Sequence, residues 1–273
     1  MTIPEFRIRD AFCGEQDERA AGLRTSLANF YQTVKDYDAF QERNYKPDFW
    51  NPIREEVRRV VARSSQCAVL EFGAGRTGFG DFLDDLRAST EFHVQDVTAQ
   101  NREELETGAD CVHIGNLLDL HGSYDVIFST FVWEHLTSPR ATLAHLLTML
   151  TPGGTLFIAS PRYDFPFYLS PSIRHLPRLA RLKIAFWLVS KRIRVVISRQ
   201  PDFLLNCDPA VLHRPWFRDA DAVHWVSQFD LECDLPDGWK CRRIPIPANG
   251  LRGWFWSTCL LMSVAITRMR SPG

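Results

Sequence analysis

The fold of this chain is decided by the stretch Val69–Gly80, whose sequence is VLEFGAGRTGFG. Apolar residues over 68–72 predict a short buried strand, and Phe79–Leu86 has the pattern of the helix that follows it. Between them lie three glycines that let the backbone turn tightly and approach a bound nucleotide without Cβ clashes, at Gly73, Gly75 and Gly78. Such a turn lies at the carboxyl edge of a parallel sheet, where these folds bind ligands.

Strand and helix patterns alternate beyond this loop. The predicted strands are Phe92–Val97, Cys111–Ile114, Tyr124–Ser129 and Thr155–Ala159, with a helix at Ala141–Leu150. Trp239–Ile246 and Ser257–Thr267 are predicted as the last two strands, antiparallel because a loop joins them. The apolar run from Trp254 is shorter than the roughly 18 residues of a membrane span and is assigned to that final strand. The expected fold is α/β, with a doubly wound, seven-stranded, mostly parallel sheet and an antiparallel last strand.

The chain divides into three parts by pattern. Residues 1–62 are predicted to form a helical N-terminal cap, with Asn51 capping a helix that begins at Pro52. Residues 63–273 form the α/β domain. An insert after the fifth strand, residues 161–215, contains a basic, partly apolar helix at Leu179–Arg199, and a further helix is predicted near Ala220–Phe229.

Charge is distributed unevenly along a chain whose net charge is only −1. Residues 67–160 carry thirteen acidic and four basic side chains, whereas residues 161–200 carry nine basic side chains and Asp164 alone. The neutral total gives no reason to expect a nucleic-acid partner. The basic insert is expected either to meet an anionic acceptor or membrane surface, through Lys191, Arg192 and Arg194, or to be a solvated helix face.

The seven cysteines show no C-x-x-C pair, and no His cluster has zinc-ligand spacing, so no metal site is expected. The odd count and the charged first fifteen residues, which do not resemble a signal peptide, predict a reduced, cytoplasmic chain.

Glu71 and Asp96 indicate which ligand the glycine loop binds. Glu71 would repel the pyrophosphate of a dinucleotide, whereas S-adenosylmethionine brings a sulfonium and an ammonium. Asp96, at the end of the second predicted strand, is placed to accept hydrogen bonds from both ribose hydroxyls. The carboxylates favour S-adenosylmethionine; a Glu71 that caps a helix or pairs with an arginine, and an Asp96 in a surface turn, are the alternatives.

Five motifs occur in a fixed order. They are E-x-G-x-G at 71–75, the acidic Asp96, Y-D-V-I at 124–127, E-H at 134–135 and L-T-P-G-G at 150–154. This order resembles the class I S-adenosylmethionine-dependent methyltransferase family over about residues 50–160. Outside that range only the general layout corresponds. The resemblance implies a Rossmann-like fold, a methyltransferase enzyme and S-adenosylmethionine as its cofactor.

The resemblance also implies residue roles. Glu71, Gly73 and Gly75 would line the methionine end and the turn of the cofactor, and Asp96 would hold the ribose. Further cofactor contacts would come from Val97 against the adenine, Asn116 with its neighbour Leu117, and Ser129 and Thr130 beneath the transferable methyl group. Asn116 departs from the family's usual Asp, although its carbonyl oxygen can accept the same hydrogen bond.

Methyl transfer from a sulfonium is a direct displacement that depends mainly on positioning. His135 is the candidate general base, with a structural role as the alternative. Tyr163 and Asp164, just beyond the fifth strand, are candidate substrate contacts.

The expected function is methylation, at oxygen or nitrogen, of a small molecule, a glycan or a lipid-linked acceptor. A non-catalytic cofactor-binding or scaffold protein is the main alternative. Glu71 and the L-T-P-G-G turn disfavour a nicotinamide oxidoreductase, and no N/D-P-P-Y/F motif supports a nucleic-acid methyltransferase.

Overall fold

The computed structural model describes residues 8–34, 42–165, 167–208, 212 and 221–269. Seven strands form one sheet in the order β4-β3-β2-β5-β6-β9-β8, in which β9 runs opposite to the other six strands. Their bounds are β2 Cys67–Phe72, β3 Thr90–Asp96, β4 Cys111–Ile114, β5 Tyr124–Thr130, β6 Leu150–Pro161, β8 Trp239–Arg243 and β9 Leu261–Arg268. The predicted doubly wound α/β sheet with its antiparallel last strand is confirmed.

Helices cover both faces of the sheet. The α-helices are α1 Ile8–Ala11, α2 Glu18–Thr33, α3 Pro47–Ser64, α4 Phe79–Phe82, α5 Arg102–Gly108, α6 Pro139–Thr148, α7 Arg178–Ser198, α8 Gln228–Asp234 and α9 Gly250–Phe255. Short 3-10 helices lie at Asp84–Ser89, Leu117–Asp119, Trp133–His135 and Pro171–Ile173, and a π-helix lies at Trp256–Leu260.

Alternating strand residues build two cores. Val69, Val94 and Val126 face α3 with Trp50 and Phe79, and all five side chains are buried. On the opposite face the intervening strand residues pack against α6 and Trp133, in a cluster that includes Leu70, Ile127, Leu146, Leu156 and Ile266. Because side chains alternate across a strand, both faces of the central strands are apolar and the sheet is buried on both sides.

The helix that precedes the glycine loop starts earlier than predicted. Helix α3 begins at Pro47 and contains Pro52, so Asn51 is not its N-cap. Proline is favoured at the first helical position, and Pro47 fills that role. The helix buries Ile53 and Val57 against the sheet and is therefore packed as part of the α/β layers.

The N-terminal segment and the insert form a small second sheet. Strand β1, Phe12–Gly14, pairs antiparallel with β7, Leu204–Asn206. This pairing brings Cys13 and Cys207 together, with Cα atoms 6.3 Å apart, and they form a disulfide. The expectation of a fully reduced chain is wrong for this pair, because the cysteines approach through strand pairing that local spacing does not reveal. The other five cysteines are free.

The C-terminal third differs locally from the prediction. The apolar run from Trp254 to Thr267 begins in α9 and the π-helix, and only Leu261–Arg268 is strand. Trp254 is 54% exposed, so the run is not wholly buried. The helix predicted near Ala220–Phe229 is displaced to α8, where the Ser227 hydroxyl accepts a hydrogen bond from the Asp230 N–H. The predicted helix at Leu179–Arg199 is confirmed, one residue earlier, as α7.

Candidate functional site

The glycine loop joins β2 to α4 at the carboxyl edge of the sheet. Gly73 and Gly75 have φ of 64° and 58°, in the region that disfavours side chains. A Cβ on Gly73 would lie 2.5 Å from Val132 Cγ1. The loop following β5 therefore packs directly against the glycine turn, and only a glycine fits between them.

Replacing Gly73 by alanine is expected to destabilise the protein by about 1–3 kcal/mol, through overpacking against Val132 and an unfavourable φ. Urea denaturation measures the loss. The double variant with Val132→Ala should recover part of it, because the overlapping methyl groups are removed. Gly22→Ala is the matched control: Gly22 lies in helix α2 with open space around it, so alanine should stabilise there. Equal stabilities of Gly73→Ala and the parent would contradict the packing.

Glu71 lies at the end of β2 with its side chain buried beneath the loop. Its Oε2 has no hydrogen-bond partner among the described residues. Burial raises the pKa of Glu71 to about 8, opposed by a hydrogen bond from Thr77 and by the charge of Lys46. A buried carboxylate with an unused oxygen is a site for a cationic group, because a bound cation would remove the cost of its charge.

Asp96 ends β3 beside the same loop. Its Oδ2 accepts a hydrogen bond from the Gly75 N–H at 2.8 Å, and its Oδ1 accepts one from the Thr98 N–H at 3.0 Å. Burial raises its pKa, while these backbone donors oppose the rise. The neighbouring Val97 is 48% exposed, which is unusual for a valine at the end of a buried strand. It presents an apolar surface to a flat ligand group.

The turn after β4 contains Asn116 and Leu117, which were both predicted to contact the cofactor but have different environments. Asn116 is exposed, and its Oδ1 accepts a hydrogen bond from the Leu118 N–H at 3.3 Å. Leu117 is instead buried in the core with α6. Gly115 anchors this turn to the glycine loop, because its carbonyl accepts a hydrogen bond from Gln95 Nε2, whose Oε1 accepts one from the Gly73 N–H.

The carboxyl end of β5 carries Ser129 and Thr130, both buried. The Ser129 hydroxyl has no hydrogen-bond partner among the described residues. Thr130 binds Lys46, whose Nζ lies 3.3 Å from both the carbonyl oxygen and Oγ1 of Thr130. Lys46 also stacks over the ring of Phe131, 5.1 Å from its centroid.

Lys46 belongs to a segment that covers the glycine loop and that the sequence did not identify. Asn44 forms a β-bridge with Thr77, and its carbonyl accepts a hydrogen bond from the Gly78 N–H at 3.0 Å. Gly78 therefore packs against this segment, which contributes Lys46 to the site. The only signal in the sequence is an aromatic-rich stretch from Phe30 to Tyr45, which could cover a pocket or belong to the core. Tyr45 is the neighbour of Lys46, and Tyr37 and Phe40 lie outside the described residues.

His135 forms a buried ion pair that changes its expected role. Its Nδ1 lies 3.1 Å from Asp221 Oδ2, which also accepts a hydrogen bond from the Tyr31 hydroxyl at 2.7 Å. Burial lowers the pKa of His135, but the charge and hydrogen bond of Asp221 outweigh it and raise that pKa to about 10. Protonated at neutral pH, the imidazole cannot accept a proton from a substrate. This geometry favours a positioning role.

Replacing Asp221 by asparagine is expected to lower the pKa of His135 from about 10, because burial is then opposed only by the charge of Glu134 and by the carbonyl of residue 221. NMR titration of the imidazole carbon shifts measures this change. The raised pKa of the parent stabilises the fold below about pH 6.5, and that contribution is lost as pH rises toward 10. This dependence should be weaker in the variant. A His135 that titrates near 6.5 in the parent would refute the ion pair.

Tyr163 and Asp164 follow β6 but are both buried. Tyr163 packs with Ile184 and Leu188 of α7, in an apolar cluster. Asp164 accepts a hydrogen bond from Arg162 Nε at 3.2 Å, and its Oδ2 lies 4.0 Å from Arg192 Nε. Tyr163 thus supports the insert, whereas Asp164 lines the edge of a groove described below.

The three basic residues expected to face an anionic partner are paired within the chain. Lys191 and Arg194 both contact Asp202 Oδ2, at 2.7 and 3.0 Å. Arg192 is buried and pairs with Asp230. Arg192 is therefore withdrawn from an external partner, whereas Lys191 and Arg194 share a single carboxylate and the Arg194 side chain is 65% exposed. Binding of these two residues to an anionic partner stays a prediction.

A groove of about 580 Å³ lies at the same edge of the sheet, beyond β6. Its walls are mostly apolar and come from α7, α8 and the turn after β6; they include Phe165, Val189, Ile193, Val196, Ile197 and Phe229. The remaining lining residues are Arg162, Asp164, Arg192, Arg243, Thr258 and Cys259. Arg243 donates hydrogen bonds to the carbonyl oxygens of Ser257 and Thr258, and its pKa is lowered by burial and by the charge of Arg162.

Comparison with known proteins gives a family match and structural neighbours. A family model described as methyltransferase domain matches residues 40–232. The plantazolicin methyltransferase BamL, crystallised with a triazolic desmethylPZN analog and SAH, is 11% identical with a TM-score of 0.51, over 93% of this chain and 97% of that chain. This likeness supports the shared fold.

Two further structures are similar at lower scores. An S-adenosylmethionine-dependent methyltransferase from Mesorhizobium loti is 12% identical with a TM-score of 0.46, over 81% of this chain and 98% of that chain. The Burkholderia thailandensis 1,6-didemethyltoxoflavin-N1-methyltransferase is 11% identical with a TM-score of 0.46, over 99% and 94%. No curated protein matches the chain in sequence. Among the described residues, no helix has the length and apolar character needed to span a bilayer.

Proposed function

The chain belongs to the methyltransferase-domain family, and from that premise we propose that it transfers the methyl group of S-adenosylmethionine to a small amphipathic acceptor. The enzyme is an S-adenosylmethionine-dependent methyltransferase. The cofactor assignment rests on the buried Glu71 carboxylate, which lies beside a turn that only glycine can form. Its Oε2 has no hydrogen-bond partner among the described residues.

The residues of the glycine loop fit this cofactor. Glu71 would receive its cationic methionine end, Asp96 its ribose and Val97 its adenine, since these side chains lie along one edge from β2 to β3. When bound, the cofactor supplies an electrophilic methyl group on a sulfonium. The protein supplies position: Ser129 and Thr130 hold the floor of the site, and Lys46 closes it from above.

The apolar groove is the proposed acceptor site. Thr130 pairs with Ala159, and Arg162 lies three residues further along the next strand, so the groove begins about 10 Å from the end of β5. Its volume of about 580 Å³ suits a small molecule. Because its lining is mostly apolar, the acceptor is proposed to place an apolar part between α7 and α8.

Arg162 and Arg243 define the polar end of the proposed acceptor. Both side chains line the groove, where Arg162 pairs with Asp164 and Arg243 donates to the carbonyl oxygens of Ser257 and Thr258. Burial and the charge of Arg162 lower the pKa of Arg243. An anionic or carbonyl group between them would relieve this repulsion. The proposed acceptor is therefore an amphipathic molecule with an anionic head. Among the expected small-molecule, glycan and lipid-linked acceptors, this proposal selects those that combine an apolar part with an anionic group.

The outer face of α7 supports delivery of this acceptor from a lipid surface. Its exposed apolar side chains recur at helical spacing at Leu179, Leu182 and Phe186, and they continue into the wall of the groove at Ile193, Val196 and Ile197. The exposed cations Arg178, Lys183 and Arg199 lie on the same helix or at its end. We propose an anionic bilayer as the occupant, because an apolar helix face bordered by cations fits its headgroup boundary.

Calorimetry with S-adenosylmethionine, its demethylated product and NAD tests the cofactor assignment. The first two should bind and NAD should not. Asp96→Ala should weaken binding by about 1.5–3 kcal/mol, the range for lost hydrogen bonds between polar groups and a charge. Tight NAD binding without a response to the sulfonium would overturn the assignment, and an unchanged affinity in a folded Asp96→Ala protein would remove that residue from the site.

Transfer of labelled methyl groups to a panel of acceptors tests the groove. Acyl-chain carboxylates and phosphates should be methylated in preference to free sugars, and Arg243→Gln should raise KM for them. Arg252→Gln, on an exposed position of α9, is the control. Equal activity of both variants would exclude the groove. For the lipid surface, the parent protein should sediment with anionic vesicles, and the Leu179→Asp, Phe186→Asp double variant should not. Equal sedimentation of the two proteins would reject a bilayer as the occupant.

A further inference from the structure

Two neighbouring strands bring together side chains that the methyl-transfer site does not use. Strand alternation places Cys111 and His113 of β4 on one face, and the parallel register pairs His93 of β3 with Cys111. One ligand atom from each of these three residues lies within 4.8 Å of the others. Strand β4 is the edge of the sheet, and all three side chains are half-buried.

We propose that His93, Cys111 and His113 bind a zinc ion. Two imidazoles and a thiolate are ligands that zinc takes in proteins, with bonds of about 2.0–2.3 Å. Tetrahedral bonds of that length place two nitrogen ligands about 3.3 Å apart. His93 Nδ1 and His113 Nε2 are 3.4 Å apart, so the two histidines already have the required separation.

Glu91 orients the first of these histidines. Its Oε1 accepts a hydrogen bond from His93 Nε2 at 2.9 Å, which leaves the lone pair of Nδ1 directed into the cluster. A carboxylate on the far nitrogen is the usual partner of a metal-binding histidine. Tyr124 occupies that lone pair in the structure, with its hydroxyl 3.0 Å from Nδ1, and an ion would replace this hydrogen bond.

The position of the ion gives it a structural role. It would join edge strand β4 to β3 three residues before Asp96, on the face that carries Gln95. Gln95 connects the turn after β4 to the glycine loop. The ion would therefore hold the adenine side of the sheet edge in register without touching the cofactor. The sequence predicted no metal site because the ligands come from two strands and not from one loop motif.

Cobalt titration of the untagged, chelator-treated full chain tests the proposal, since Co²⁺ bound by a thiolate gives a charge-transfer band in the near ultraviolet. One equivalent should produce the band, and zinc should abolish it. Cys111→Ser and His113→Gln should lose it, whereas Cys233→Ser and His121→Gln should keep it. Glu91→Gln should weaken zinc binding about 10–100-fold.

Circular dichroism confirms that each variant is folded. A parent chain without a stoichiometric band, or a Cys111→Ser protein that retains it, would overturn the site and leave a hydrogen-bonded cluster only. A zinc-dependent rise in Tm that is absent from Cys111→Ser and present in Cys233→Ser would support it independently of the spectrum.

Discussion

Replacing Glu71 by glutamine is expected to weaken binding of S-adenosylmethionine by about 2–5 kcal/mol, the range for truncating one partner of a buried charge pair. The amide keeps the size of the side chain but cannot neutralise a cation. Because burial raises the pKa of Glu71 to about 8 in the free protein, the bound cation must favour the ionised form. Calorimetry of parent and variant measures the difference.

The same pKa predicts how affinity depends on pH. Between about pH 6 and 8 the free carboxyl is mostly protonated, so binding must release a proton and affinity should rise up to tenfold per pH unit, then level off. Glu71→Gln should show no such slope. In the free state this variant should be at least as stable as the parent at pH 8, because it no longer buries a charge. A parallel slope in both proteins would assign the proton to another group.

Replacing Arg192 by glutamine is expected to destabilise the fold by about 3–5 kcal/mol, because it leaves buried carboxylates without their cation. Arg192 pairs with Asp230, lies near Asp164, and donates a hydrogen bond to the Trp225 carbonyl at 3.2 Å. Burial raises the pKa of Asp230 and Arg192 opposes that rise. In the variant the pKa should rise further, so its deficit should shrink as pH falls and Asp230 becomes protonated.

Urea denaturation at pH 8 and pH 5 measures both effects. Arg194→Gln is the matched control on the same helix: its side chain is 65% exposed and its pair with Asp202 should contribute less than about 1 kcal/mol. The double change Arg192→Met, Asp230→Leu should be much less harmful than Arg192→Gln, because it removes the whole pair. If Arg192→Gln and Arg194→Gln cost the same, the buried network does not stabilise the insert.

Local sequence patterns were sufficient to predict the strands of the central sheet. The apolar runs that became β2 and β5 are continuous because both faces of these strands are buried, and Gly73 and Gly75 follow β2 because the turn needs positive φ. The helix start was predicted at Pro52 because proline is favoured at the first helical position. Pro47 fits the same rule, and the helix begins there. Such errors are local, and they displace an element boundary without changing the fold.

Contacts between distant segments could not be predicted from local sequence patterns. Nothing near Lys46 in the sequence indicates that its ammonium lies against Thr130. Arg192 resembles its exposed neighbours in a basic helix, and only the packing of α8 beside α7 reveals that it is buried. His135 was correctly placed beside the sheet edge, but its partner Asp221 is 86 residues away and decides its charge.

The pairing of β1 with β7 has a consequence during synthesis. Cys13 and Cys207 are 194 residues apart, so the first strand leaves the ribosome long before its partner exists. At about 5–20 residues per second, that interval is roughly 10–40 s. During it the central strands can form and pack, while Phe12 and its neighbours have no sheet to join. We expect the amino terminus of nascent chains to become resistant to proteases only after β7 has been synthesised, and therefore later than the segment that contains β2 to β6.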